Sequence, residues 1–134
     1  MTAAVRVLDS YALLVYVQGE RGKQKMIELF ESAAGTNINL LLSTVNWGEV
    51  IYSTLRTYGH ERAEDIAQLI SRLPIEIIPA DLHLARQAAE FKAAKRMSYA
   101  DCFAAALAKL RKAELVTGDR EFKQVEGEVR ILWI

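Results

Sequence analysis

"ELVTGDREF", residues 114–122, sets a short apolar run against a threonine–glycine step and then an acid. Glu114–Thr117 has the length of a buried strand and ends in the β-branched pair Val116 and Thr117. Gly118 marks a turn, and Asp119 stands where the chain leaves the strand. A turn alone is served as well by Asn, Ser or a second Gly. Whether Asp119 is a turn residue or a functional acid therefore depends on where the chain places its other acids.

Runs of the same kind occur at "VRVL" (5–8), "INLLLS" (38–43), "IEII" (75–78, between Pro74 and Pro79) and "VRILWI" (129–134). Continuous apolar runs, as opposed to alternating ones, point to strands covered on both faces, as in a parallel sheet. Helix-length segments separate them: 10–18 and 23–34 after the first run, 44–58 and 61–72 after the second, 81–95 and 98–112 after the third. In the last of these, Tyr99, Cys102, Phe103, Ala106, Leu107 and Leu110 recur at i, i+3, i+4, i+7, i+8 and i+11, a helical stripe. The pattern predicts an α/β fold, a three-layer sandwich with a central, mostly parallel sheet of about five strands and helices on both faces. No linker, repeat or low-complexity tract divides it, and residues 1–134 read as one domain.

Bulk composition narrows the function. Lys+Arg and Asp+Glu number 17 each, so no global field attracts nucleic acid or an anionic membrane. Nucleic-acid contact then requires a local patch or bound cations. Cys102 is the single cysteine, which excludes an intrachain disulfide and suits a reducing cytoplasm. Asp9 interrupts the first apolar stretch, unlike a signal peptide, and no run reaches the ~18 apolar residues of a membrane span.

In open α/β sheets ligands bind at the carboxyl ends of the strands. Asp9 directly follows "VRVL", and Asp119 stands in the same place after a later strand. Glu49 lies one to two turns into the helix after "INLLLS". Asp101 opens its helix three residues after Ser98. Each acid has a plainer reading. Asp9 and Asp119 suit helix N-caps, and Ser98-x-x-Asp101 is a variant capping box. Two features weigh against decoration. Ala104, Ala105 and Ala108 form a second apolar face below Asp101, and Glu49 is too deep in its helix to cap it and needs a partner.

Four carboxylates at one strand-end cleft repel one another unless a cation sits among them. Hard Mg²⁺ or Mn²⁺ takes oxygen ligands, polarises a phosphodiester and acidifies a bound water. Such a cation draws in phosphate without a basic surface.

"VLDSYALL", "NWGE", "SYADCFAAALA" and "LVTGDREF", in this order, resemble the PIN domain, and more closely the VapC-type toxins of prokaryotic toxin–antitoxin pairs. The resemblance extends from Val5 to the final strand. It implies a Mg²⁺- or Mn²⁺-dependent endoribonuclease with an all-parallel sheet, a homodimer, and a cognate antitoxin that lays a peptide segment over the active site. It assigns the catalytic and metal-holding roles to Asp9, Glu49, Asp101 and Asp119, and supporting roles to Ser10, Asn46 and Thr117. A PIN-type nuclease in RNA processing, outside any toxin–antitoxin pair, carries the same motifs.

For RNA contact the candidates are Lys92, Lys95 and Arg96, in "KAAKR", and Arg120 beside Asp119. Trp47, Ile51, Tyr52, Leu55 and Tyr58 are core candidates whose exposed remainder would suit an amphipathic antitoxin helix. His60 and His83 have no metal-ligand spacing and read as helix-end or surface residues. Cys102 reads as core. A rival from another class is a non-catalytic α/β interaction module, in which the four acids are dispersed or ion-paired. A P-loop is excluded, since G-x-x-x-x-G-K-[ST] is absent.

Overall fold

The computed structural model describes residues 4–134. Among them, β1 (Arg6–Leu8), β2 (Leu40–Ser43), β3 (Ile75–Ile78), β4 (Glu114–Thr117) and β5 (Ile131–Trp133) form one sheet. Its order is β3-β2-β1-β4-β5, and every neighbouring pair is parallel. The helices are α1 (Ser10–Gln18), α2 (Lys23–Thr36), α3 (Thr44–Tyr58), α4 (His60–Arg72), α5 (Leu82–Ala94) and α6 (Tyr99–Arg111). A 3₁₀ segment, Arg120–Val125, follows β4.

The two faces of the sheet build two cores. Val7, Leu41 and Leu115 point towards α5 and α6, where they meet Leu84, Phe91, Cys102 and Leu107, with Phe122 of the 3₁₀ segment. Their neighbours along the strands, Leu8, Leu40, Leu42 and Val116, point the other way, towards Leu13, Met26, Phe30, Val50 and Ile66 of α1–α4. This alternation follows from the period of two along a strand. It also explains the continuous apolar runs, because both sides of each inner strand are covered. A fully buried leucine such as Leu8, Leu42 or Leu115 contributes about 1.5–3 kcal/mol by transfer from water. The inner strands therefore carry the sheet.

The edges depart from the expectation of strands covered on both faces. In β3, Glu76 and Ile77 are exposed, and Ile77 keeps 37% of its surface in water. β3 is an edge strand with a neighbour on one side only, and these two residues are left open to solvent. β2 also starts later than the apolar run suggests. Asn37, at φ 58°, ends α2 in a left-handed cap, and the chain needs Ile38 and Asn39 to reach the sheet.

The strand order carries the functional consequence. From β1 the chain moves outward through β2 to β3, then crosses to the other side of β1 to enter β4. The crevice where a parallel sheet reverses direction is its ligand site, and here it lies between the carboxyl ends of β1 and β4. Asp9 and Asp119 flank it.

Helix α6 forms one wall. Cys102–Ala108 are all buried, since α6 packs against α5, α3 and the sheet at once. Alanines allow this close approach. Ala105→Leu should overpack the junction and cost about 1–3 kcal/mol, read as a lower urea midpoint with an unchanged slope; a wild-type midpoint would contradict this packing.

Candidate metal centre

Asp9 caps α1, accepting a 2.8 Å hydrogen bond from the Ala12 N–H through Oδ1. Its other oxygen accepts from the Thr117 hydroxyl at 2.5 Å. That hydroxyl in turn accepts from the Asp119 N–H at 3.0 Å. Asp119 caps the 3₁₀ segment through Oδ1, which takes the Glu121 N–H at 3.0 Å. The N-cap reading of both acids is thus realised. It leaves function open, because capping occupies a single oxygen. Among the described residues, nothing hydrogen-bonds the second oxygen of Asp119.

A second network fixes Glu49. Ser43 caps α3 by accepting the Asn46 N–H at 3.1 Å, and its hydroxyl donates to Asn46 Oδ1 at 2.7 Å. The Asn46 amide donates to Ser10 Oγ at 3.2 Å and to the Ala100 carbonyl at 3.1 Å, next to Asp101. The Ser10 hydroxyl donates to the Glu49 carboxylate. Glu49 is half-buried, and Ser10 is the partner its position required. Of the six buried polar residues among those described, Asp9, Ser10, Ser43, Asn46 and Thr117 belong to these two networks, and Thr54 stands apart. The polar interior is concentrated at this edge.

Asp101 sits in the first turn of α6, where its N–H donates to Ser98 Oγ at 3.1 Å. Among the described residues the reciprocal capping-box bond is not made, so its carboxylate stays available. Carboxylate oxygens of Asp101, Asp119 and Glu121 lie within 4.8 Å of one another. Asp9, which is buried, and Glu49 lie outside that tight group, but their charges act on it. Glu121 was missed by the sequence reading. Its signal was the D-R-E spacing, legible only to a reader who expects a tight 3₁₀ turn to bring residues 119 and 121 together.

Burial and crowding act together on these carboxyls. Burial, and then the charges of Asp101 and Asp119, push the Asp9 carboxyl up to about 7, against the opposing hydrogen bonds from Thr117 and Ala12. Burial, followed by the charges of Asp119, Glu49 and Glu121, raises Asp101 to about 6. Desolvated, mutually repelling carboxylates, with oxygens of Asp101 and Asp119 left without a hydrogen-bond partner among the described residues, are a donor set that fits a hard divalent cation.

The other candidates divide. The Lys92 ammonium donates to the Met97 carbonyl at 2.7 Å, and Lys95 pairs with Glu128 at 3.8 Å. Arg96 is exposed and engages Gln124 through its backbone. Arg120 is exposed beside Asp119, its guanidinium 5.9 Å from the centroid of the Trp133 ring. His60 and His83 are exposed at helix starts, and Cys102 is fully buried.

A PIN domain family model matches residues 6–128. The chain belongs to the PIN domain family. Among curated proteins, none matches this sequence significantly. Solved structures do match it over nearly its full length. The DNA-bound VapBC of Salmonella typhimurium superposes at a TM-score of 0.75 with 20% identity, covering 97% of this chain and 98% of that one. VapBC2 of Rickettsia felis, bound to a promoter DNA fragment, gives 0.77 with 16% identity and the same coverage. VapC20 of Mycobacterium tuberculosis, a toxin that cleaves the Sarcin-Ricin loop, gives 0.72 with 16% identity, over 90% of this chain and 94% of that one. The resemblance read from the four motifs thus holds for family and fold.

The raised acids set a pH dependence. Their folded values of about 7 and 6 lie above the unfolded value of ~3.9. The stability they contribute is complete below the unfolded value and is lost as pH rises through the folded ones. Asp101→Asn, which stays neutral, should flatten the decline in melting temperature between about pH 4 and 7 in EDTA. It should also melt higher than wild type at pH 7.5, by about 2–4 °C for each kcal/mol recovered. Superimposable profiles would contradict the repulsion.

Proposed function

We propose that the chain is a divalent-metal-dependent endoribonuclease, and the toxin of a VapBC-type pair. The observation that carries the reading is the meeting of Asp101, Asp119 and Glu121 within 4.8 Å at the β1–β4 crevice, above the buried Asp9. Membership of the PIN family and the shared fold with VapC20 support it.

In this reading Asp9, Asp101 and Asp119 hold Mg²⁺ or Mn²⁺, with Glu49 and Glu121 beside them. The cation supplies charge neutralisation and Lewis-acid polarisation of a phosphodiester, and makes water acidic enough to attack. The protein's own part is positioning. Thr117 fixes the Asp9 carboxylate and the Asp119 backbone with one hydroxyl. Ser10 aims Glu49, and Asn46 ties α3 to the first turn of α6. Arg96 and Arg120 are the basic residues best free to meet the RNA backbone, because Lys92 and Lys95 are engaged within the protein.

The partners follow from the same reading. Tyr52 and Tyr58 of α3 are 48% and 59% exposed, and a groove of about 350 Å³ runs past Val17, Thr54, Tyr58, Arg62 and Ile66. An amphipathic antitoxin helix fits such a surface, and a homodimer completes the assembly. No helix among the described residues is long and apolar enough to cross a membrane, in keeping with a cytoplasmic RNA target.

Purified protein should cut a pool of structured RNAs, tRNA included, into discrete fragments in Mg²⁺ or Mn²⁺, and EDTA should stop it. Asn46→Ala, which loosens the support without removing an acid, should cost about 10–100-fold, as outer-shell changes at metal sites do. Asp119→Asn should cost more. A folded Asp119→Asn protein with wild-type cleavage would refute the assignment.

A further inference from the structure

Beside the acids lies a cleft of about 560 Å³ that the catalytic reading leaves unused. Gly118 and Arg120, on either side of Asp119, both line it, as do Tyr11, Arg21 and Lys25. Its size suits a nucleotide, within the ~300–1,000 Å³ of ordinary ligand clefts. The geometry points to a subsite for single-stranded RNA, in which a base stacks on Tyr11 while Arg21, Lys25 and Arg120 hold the adjoining phosphates. The inference rests on the nuclease reading and deepens it, since the subsite would seat a nucleotide neighbouring the scissile phosphate.

Three observations carry it. The first is the seat of Tyr11. A Cβ added to Gly118 would stand 2.4 Å from Tyr11 Cε1 and 3.1 Å from its Oη, so the ring lies directly against the Gly118 backbone. A side chain at residue 118 would have to push the Tyr11 ring out of this position. The sequence reading took Gly118 only for a turn. The ring thus packs on one side against Gly118, two residues after Asp9, while 42% of Tyr11 stays in water. An oriented, half-open aromatic ring is what base stacking uses.

The second is charge. Arg21, Lys25 and Arg120 converge on the cleft from three segments, and none of them forms an ion pair among the described residues. Among the described residues no Asp or Glu side chain lines the cleft, whose wall also includes the backbone end at Ile134. In a chain whose charges balance at 17 each, cations are thus gathered on one flank of the acid cluster. The third is the light engagement of these cations. Lys25 donates to the Trp133 carbonyl at 3.3 Å, and Arg120 stands 5.9 Å from the Trp133 ring centroid, which leaves both free to meet phosphate. Cations along a groove combined with an exposed ring is the arrangement by which proteins hold single strands. An acidic peptide would use the charges but not the ring.

The test is fluorescence anisotropy on the full chain carrying Asp101→Asn, which keeps the RNA intact, with a short labelled single-stranded oligoribonucleotide. Adding Tyr11→Ala should weaken binding about tenfold, the effect of one lost base stack, while Tyr11→Phe should restore it. Arg21→Gln with Lys25→Gln should lower the log–log salt slope by about 1.4, or ~0.7 per phosphate contact. Lys112→Gln, at the far end of α6, should leave that slope alone. Wild-type affinity in the Tyr11→Ala protein, or an unchanged slope in the double variant, would overturn the subsite. So would a loss confined to binding of a polyglutamate peptide. RNA cleavage by the wild-type chain separates the two claims: its absence sinks the nuclease reading, whereas cleavage with unaltered Tyr11→Ala binding sinks the subsite alone.

Discussion

The hydroxyl of Thr117 joins the two strands from which the site is built. It donates to the Asp9 carboxylate at the end of β1 and accepts the Asp119 N–H just beyond β4. One side chain thereby sets the spacing of two acids that lie 110 residues apart in the chain and would otherwise push apart. The strand order makes this contact available, since β1 and β4 are neighbours on either side of the point where the sheet changes direction. A threonine at the end of a strand reads in the sequence as β-propensity, yet here its hydroxyl matters more than its methyl.

Burial of these carboxylates, and then their mutual repulsion, is a cost to the fold, reflected in the upward displacement of Asp9 to about 7 and Asp101 to about 6. Part of it is offset locally. Helices α1, α3 and α6 all begin at this edge, and each presents the positive end of its dipole there. Ser43 and Ser98 satisfy N–H groups in the first turns of α3 and α6, so the nearby acids are spared for other work. The remaining strain is what a divalent cation would relieve, and that links the energetics of the metal-free chain to the chemistry proposed for it. Immediately beside this negative centre the cleft around Tyr11 is positive, a polarity suited to a metal acting on one phosphate while its neighbours are held by arginine and lysine.

Much of this was legible in the sequence for definite reasons. The inner strands show continuous apolar runs because α1–α4 cover one face and α5 and α6 the other. Asp9, Asp101 and Asp119 stand out because each leaves a strand or opens a helix, positions that local punctuation reveals. Glu49 was recognisable from its apolar neighbours and its need for a partner, which proved to be Ser10. Other features depend on distances that no local pattern encodes. Glu121 joins the acids only because residues 120–125 coil into a 3₁₀ turn. Gly118 and Tyr11 are remote in the chain, and their contact exists only once β1 and β4 are paired. The exposure of Ile77 follows from its place on an edge, which strand composition does not disclose. Similarly, "KAAKR" is a basic run in the sequence, but in the fold Lys92 bonds the Met97 carbonyl and Lys95 pairs with Glu128 at the surface.

The central claim is that these acids are gathered to hold a cation. It is tested most directly by titrating the full-length chain with Mn²⁺ at neutral pH, following free Mn²⁺ by electron paramagnetic resonance and stability by thermal melting. Saturable binding that raises the melting temperature, and that is lost in Asp119→Asn, is the expected result. Absence of binding, or binding that Asp119→Asn leaves untouched, would contradict the account.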